Sequence, residues 1–286
     1  MKLLFSPRPP RQPVRVGLVA ILLACVAGLF SIAPASAQTA AGAKPDPKAI
    51  LMGMAEYLSK LQSFSVDVRD NYDTVQKTGQ KITYNETRKI TVARPDRMRT
   101  EVVESNGDQQ TLVINSKDIA LTSQPANVFA QTPSPGTLDQ AIVFYVRDLG
   151  MRLPFARLLV TTGGAELAAQ TRALDYVEKT NILGAPAHHL AGRAQGVDFQ
   201  VWVTDGDKPL PLKLVLTYVE EKAQPQFRAE FSDWNVAPQV SDATFAFTPP
   251  EGSHRIAFVA EMPRGAAATA ATTPKPGSSA KPGVKK

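Results

Sequence analysis

Cysteine is nearly absent from this chain of 286 residues: Cys25 is the only one, and there are three histidines. Cys25 sits inside an N-terminal apolar run, so a mature chain that has lost that run has no disulfide and no thiol nucleophile, and must rely on its core. Acidic residues are missing at both ends, with none before Asp46 and none in 264–286. Those ends hold four Lys/Arg in 1–37 and five in 264–286, which leaves the body, 38–263, with 23 basic against 26 acidic residues, a net of −3 under a formal total of +6. The positive balance therefore belongs to the ends, and nucleic-acid binding by the folded body has no support from charge. Catalytic motifs are missing too. There is no Gly-x-Ser-x-Gly elbow, and Gly163-Gly164 lacks the Lys-Ser/Thr of a phosphate loop. His188 and His189 are neighbours on an expected strand, where adjacent side chains point to opposite faces, so they cannot share one metal. The acidic pairs Glu101/Glu104, Asp205/Asp207 and Glu220/Glu221 fall in turns or at strand ends and read as solvated charge. No catalytic residue, metal site or cofactor is expected, and the chain does not read as an enzyme.

What is present begins with an address. Lys2, Arg8, Arg11 and Arg15 precede an apolar run from Val16 to Ile32, and Ala35-Ser36-Ala37 has the form of a signal-peptidase site. Together these read as a secretory signal peptide over 1–37, cleaved after Ala37. An uncleaved anchor is the weaker alternative, because the run is short for a membrane span. Lipidation at Cys25 is weaker as well, because Val26 to Ile32 stays apolar where small polar residues would be expected. A linker (38–46), a folded domain (47–262) and a Pro/Ala/Lys-rich tail (263–286) too poor in apolar residues to fold complete the expected organisation.

The domain reads as mainly β. Asp46-Pro47 is a helix start, and Leu51, Met54, Ala55, Leu58 and Leu61 form one apolar stripe behind it. From Phe64 the pattern is period two: Phe64, Val66 and Val68, then a long strand from Ile82 to Val92 with a polar centre, Asn85 to Lys89. Hairpin signals at Asn106-Gly107 and around Asn115 to Asp118 follow, and residues 124–136 read as a loop. Thr137 to Gln140 has the spacing of a capping box opening a helix to Leu149; short helices are expected within 153–160 and 165–170. Strands resume at 174–182 and 187–191 and lead into a meander over 197–235, with a short closing strand near Ile256. In the meander Phe199, Val201, Leu212, Leu214, Leu216, Phe227 and Phe231 share one apolar face that the helices must cover.

Several local features match a known family in their order along the chain. They are a helix ending Lys60-Leu61-Gln62-Ser63-Phe64, a strand closing on Ala93-Arg94-Pro95-Asp96, a hairpin reading Leu112-Val113-Ile114-Asn115-Ser116-Lys117, and a closing Phe245-Ala246-Phe247-Thr248-Pro249-Pro250-Glu251-Gly252. Over about residues 47–258 the chain resembles the LolA/LolB-like periplasmic carriers, and within them a family of predicted periplasmic bacterial proteins. The resemblance implies an incomplete antiparallel β-barrel, a strongly curved sheet, covered by lid helices (48–61, 138–149, 154–170). It also implies a periplasmic, non-enzymatic binding protein whose ligand is a lipid, a lipoprotein acyl chain or another apolar molecule. The seven apolar residues would line the cavity. Arg94 would correspond to the carriers' arginine that hydrogen-bonds lid backbone. The alternative reading is an envelope sensor or scaffold that binds a protein partner; in either case a monomer is expected.

Overall fold

The computed structural model describes residues 44–124 and 126–258. The expected signal peptide with its cleavage point after Ala37, the Cys25 alternative and the 263–286 tail lie outside the described residues. The first helix, α1 (Pro47–Lys60), starts where Asp46 accepts the backbone N–H of Lys48 at 2.9 Å, with proline at its first turn. Its stripe buries Leu51, Met54 and Leu58. Six strands follow: β1 (Ser63–Val75), β2 (Lys81–Ala93), β3 (Arg97–Glu104), β4 (Gln109–Ile114), β5 (Asp118–Gln124) and β6 (Val128–Pro133). After them come α2 (Leu138–Arg147), the single turn α3 (Ala156–Leu159) and α4 (Gly163–Gln170). The chain then forms β7 (Ala173–Ile182), β8 (Ala185–Ala194), β9 (Val197–Thr204), β10 (Pro211–Tyr218), β11 (Gln226–Asn235) and β12 (His254–Ile256).

The twelve strands among the described residues join one curved, open sheet in the order β12-β6-β5-β4-β3-β2-β1-β11-β10-β9-β8-β7. Every pairing is antiparallel except β12 on β6. The two halves, β1–β6 and β7–β11, meet where β1 pairs with β11, so one long-range ladder fuses two meanders. Alternation then decides the faces. Phe64, Val66 and Val68 of β1, Ile90 and Val92 of β2, and Phe227, Ala229 and Phe231 of β11 are buried, and the helices lie over that inner face.

Three local expectations needed correction. The 124–136 stretch contains β6, whose inward residues Ala130 and Thr132 are small or polar and so hide the strand pattern. The apolar stretch 153–160 forms only one helical turn, although Leu153, Phe155, Leu159 and Val160 are all buried. The last helix starts two residues earlier than expected, at Gly163. That glycine pair has a packing reason: a Cβ on Gly163 would lie 1.8 Å from the Arg157 carbonyl oxygen, and one on Gly164 2.3 Å from the Ala55 Cβ. Only glycine lets α4 close onto both α3 and α1.

The expected capping box of α2 is present. Thr137 accepts from the Gln140 N–H, and the Gln140 side chain accepts from the Thr137 N–H at 2.9 Å. At the end of the domain, the 3-10 turn Asp242–Phe245 folds back onto β3. There the Arg97 guanidinium pairs with Asp242 at 2.7 Å and lies 5.2 Å from the centre of the buried Phe245 ring.

Candidate functional site: an apolar pocket beneath the helices

Where α1, α3 and α4 meet β9 and β10, the packing leaves a pocket of about 220 Å³. The helices contribute Leu51, Met54, Leu158 and Leu167, and Phe155 adds its ring from the segment before α3. From the sheet side, Phe199 and Val201 of β9 and Leu214 and Leu216 of β10 form the opposite wall. Those four are among the residues read from the period-two pattern. Phe227 and Phe231 lie on the same inner face but one strand further, on β11. Their rings pack against Phe155 at 6.1 and 5.9 Å and back the wall without lining the pocket. Leu212 is buried, yet it is the extra residue where the β10–β9 register shifts between Pro211 and Lys213, so it leaves the alternation that carries Leu214 and Leu216.

Arg94 ties the helices to the sheet. Its side chain is 7% exposed, at the end of β2. Nε donates to the Leu61 carbonyl at the end of α1 at 3.1 Å, and Nη2 donates to the Leu159 carbonyl at the end of α3 at 2.8 Å. Nη1 donates to Asp139 Oδ1 on α2 at 3.3 Å, while Asp139 Oδ2 accepts from the Thr161 backbone N–H at 2.9 Å. One guanidinium thus holds three helical segments, a use of its planar fork that a lysine could not reproduce. Burial pulls its pKa down from the ordinary arginine value while Asp139 pulls it back up, and arginine stays charged throughout.

Glu86 and Arg88, from the polar centre of β2, join Asp70 of β1 beside the apolar wall. Asp70 on β1 has a fully buried side chain. Its Oδ1 accepts from Arg88 Nε at 2.9 Å, and Arg88 also pairs with Glu86. Asp70 Oδ2 has no hydrogen-bond partner. Burial raises the carboxyl pKa of both Asp70 and Glu86, outweighing the attraction of Arg88. The Arg88 guanidinium lies 5.9 Å from the Phe155 ring centre, and Arg152 lies 4.8 Å from that of Tyr72. Tyr145 of α2 is pushed up to about 12 by burial. The signal was available: Ile90 and Val92 face inward, and counting back by two puts Arg88 and Glu86 on the same face.

The histidines divide as strand alternation requires. His188 Nε2 lies 3.1 Å from Asp205, which also pairs with Lys179 at 2.6 Å, whereas His189 stacks on Trp202 at 4.0 Å. Among the described residues no group of three or more His, Cys, Asp or Glu could hold a metal ion. A wider recess of about 450 Å³ lies among Arg69, Asp70, Asn85, Glu86, Lys213 and Arg228. It is larger than the covered pocket, but apart from Val103 its side chains are charged or polar and water can fill it. The apolar walls of the covered pocket make it the candidate site.

Residues 47–259 match a family model described as predicted periplasmic protein (DUF2092). No curated protein matches the sequence significantly. Among solved structures, an uncharacterized conserved protein from Thermus thermophilus aligns at TM-score 0.44 and 12% identity, over 73% of this chain and 98% of its own. The Mycobacterium tuberculosis lipoprotein LppX aligns at TM-score 0.44 and 12% identity, over 70% of this chain and 100% of its own. The LolA superfamily protein NE2245 from Nitrosomonas europaea aligns at TM-score 0.33 and 12% identity, over 71% and 98%.

Proposed function

The chain belongs to this family of predicted periplasmic proteins, and from that premise we propose that it is a periplasmic binding protein holding an apolar ligand, such as a lipid or acyl chain, between sheet and helices. The observation that carries the reading is the pocket itself. Hydrocarbon side chains from both layers surround about 220 Å³ that the helices cover and leave unfilled. Apolar surface of this kind gains when a hydrocarbon replaces water. The chemistry of the walls suits holding a molecule, and the reading assigns the protein no reaction. The Arg94 tie supports a second part of the proposal: the helices act as a lid, and Arg94 is its anchor.

The test is Leu214→Trp, which adds an indole to the pocket wall. Filling a void should cost no more than the roughly 1–3 kcal/mol of ordinary overpacking. The wild-type protein should take up the neutral fluorescent probe N-phenylnaphthylamine, and the folded variant should not. A wild-type protein that excludes the probe, together with a variant that melts far lower, would mean an ordinary packed core. The sensor or scaffold alternative, with an envelope protein partner, would then be the reading to pursue by cross-linking.

A further inference from the structure

We infer that the ligand is a single acyl chain with an anionic head, a carboxylate or a phosphate, seated against Arg157. The inference rests on the apolar-ligand reading above and deepens it. Two features of the pocket carry it.

The first is size. At about 220 Å³ the pocket falls below the roughly 300–1,000 Å³ of sites that enclose drug-sized molecules. A volume of that size suits one acyl chain better than a lipid with several.

The second is the sign of its polar rim. The lining contains one ionic side chain, Arg157, and two amides, Gln170 and Gln195; no Asp or Glu lines it. Arg157 Nη2 donates to Gln170 Oε1 at 2.6 Å, which fixes the guanidinium beside a lining residue. Among the described residues no carboxylate lies within ion-pair distance of it. Arg88, Arg94 and Arg147 differ, since Arg88 has Asp70 and Glu86, Arg94 has Asp139, and Arg147 has Asp148, whereas Arg152, which among the described residues also has no ion pair, lies over the Tyr72 ring and away from the pocket lining. Among the described residues Arg157 is the one arginine that borders the hydrocarbon pocket, and its bonded partner is neutral. Because the Gln170 oxygen is occupied by Arg157, its NH₂ group is left to donate. A bound head would therefore meet a guanidinium and an amide N–H, the donor set that suits an oxyanion, while its chain runs between Phe155, Phe199 and Leu216. Backbone packing fixes the residue's place, since Gly163 lies directly on the Arg157 carbonyl.

The experiment uses the purified full chain and two ligands of equal length, dodecanoate and dodecanol. Each is titrated at neutral pH, below the concentration at which it self-associates, against bound N-phenylnaphthylamine. Arg157→Gln should weaken dodecanoate about tenfold, the effect expected of one lost charge-assisted contact at a partly solvated site, and leave dodecanol unchanged. Added salt should weaken dodecanoate binding to the wild type and leave dodecanol alone. Arg157→Lys should recover part of the loss and its salt dependence. Equal changes for both ligands, or no change for either, would overturn the anionic head while keeping the apolar pocket. Failure of the probe and both ligands to enter the wild-type protein would overturn the pocket reading and this inference with it.

Discussion

Asp70 follows Val66 and Val68 on the inner face of β1, and there its carboxylate is out of reach of water. Arg88 satisfies one oxygen and nothing satisfies the other. Burial raises its pKa from the ordinary value near 3.8, so the folded chain holds this proton more tightly than the unfolded chain does. That contribution to stability is fully present below pH 3.8 and is lost as pH rises from there through the raised folded value. Asp70→Asn removes it. The stability of the wild type minus that of Asp70→Asn should therefore fall as pH climbs above about 3.8 and then level off. Glu86 acts in the same direction, because the Asp70 charge is one cause of its own raised pKa. Carboxylates with lowered values, such as Asp73 and Asp205, titrate in both proteins and cancel in the difference. Urea melts of the two proteins across this range would measure it. A difference that stays flat, or that grows with pH, would mean Asp70 is not held in a desolvated site.

The helices were legible in the sequence as elements, while their reading as a lid anchored by Arg94 came from the resemblance alone. Their stripes and the Thr137 capping box mark α1 and α2 directly, because capping and period 3.6 are local properties. The way Arg94 gathers Leu61, Asp139 and Leu159 spans up to 65 residues, and in the sequence it rested on resemblance alone. Arg157 was missed for a similar reason: a single helical turn has no periodicity, and its place is set by Gly163 closing on its carbonyl. The anchor makes a specific prediction. Arg94→Leu should remove about 1.5–3 kcal/mol of charge-assisted bonding from the closed lid, a roughly ten- to hundredfold shift in a two-state opening. Amide exchange should speed up in 138–170 and change little in 197–235, and Arg94→Lys should rescue poorly. Equal acceleration in both segments would mean that Arg94 stabilises the whole fold and does not act on the lid.

At the scale of the molecule, the mainly β architecture was readable because alternation runs through nearly every strand, and Phe199, Val201, Leu214 and Leu216 meet at the pocket as period two requires. The pattern misplaced Leu212 because a bulge is invisible to it, and it grouped Phe227 and Phe231 with the lining because a shared face does not say which strand borders a void. It also passed over β6, whose inner positions carry Ala130 and Thr132. The open sheet order, with β1 and β11 joining the halves, leaves an inner face that α1, α3 and α4 cover without filling it. On the proposed function, one apolar chain fills the remaining space. Native mass spectrometry of protein gently purified from the periplasm tests it most directly. The account predicts a mass excess equal to a single one-chain amphiphile, released on denaturation and absent from Leu214→Trp. A folded wild-type protein of bare polypeptide mass, which also stays bare after incubation with dodecanoate, would contradict it.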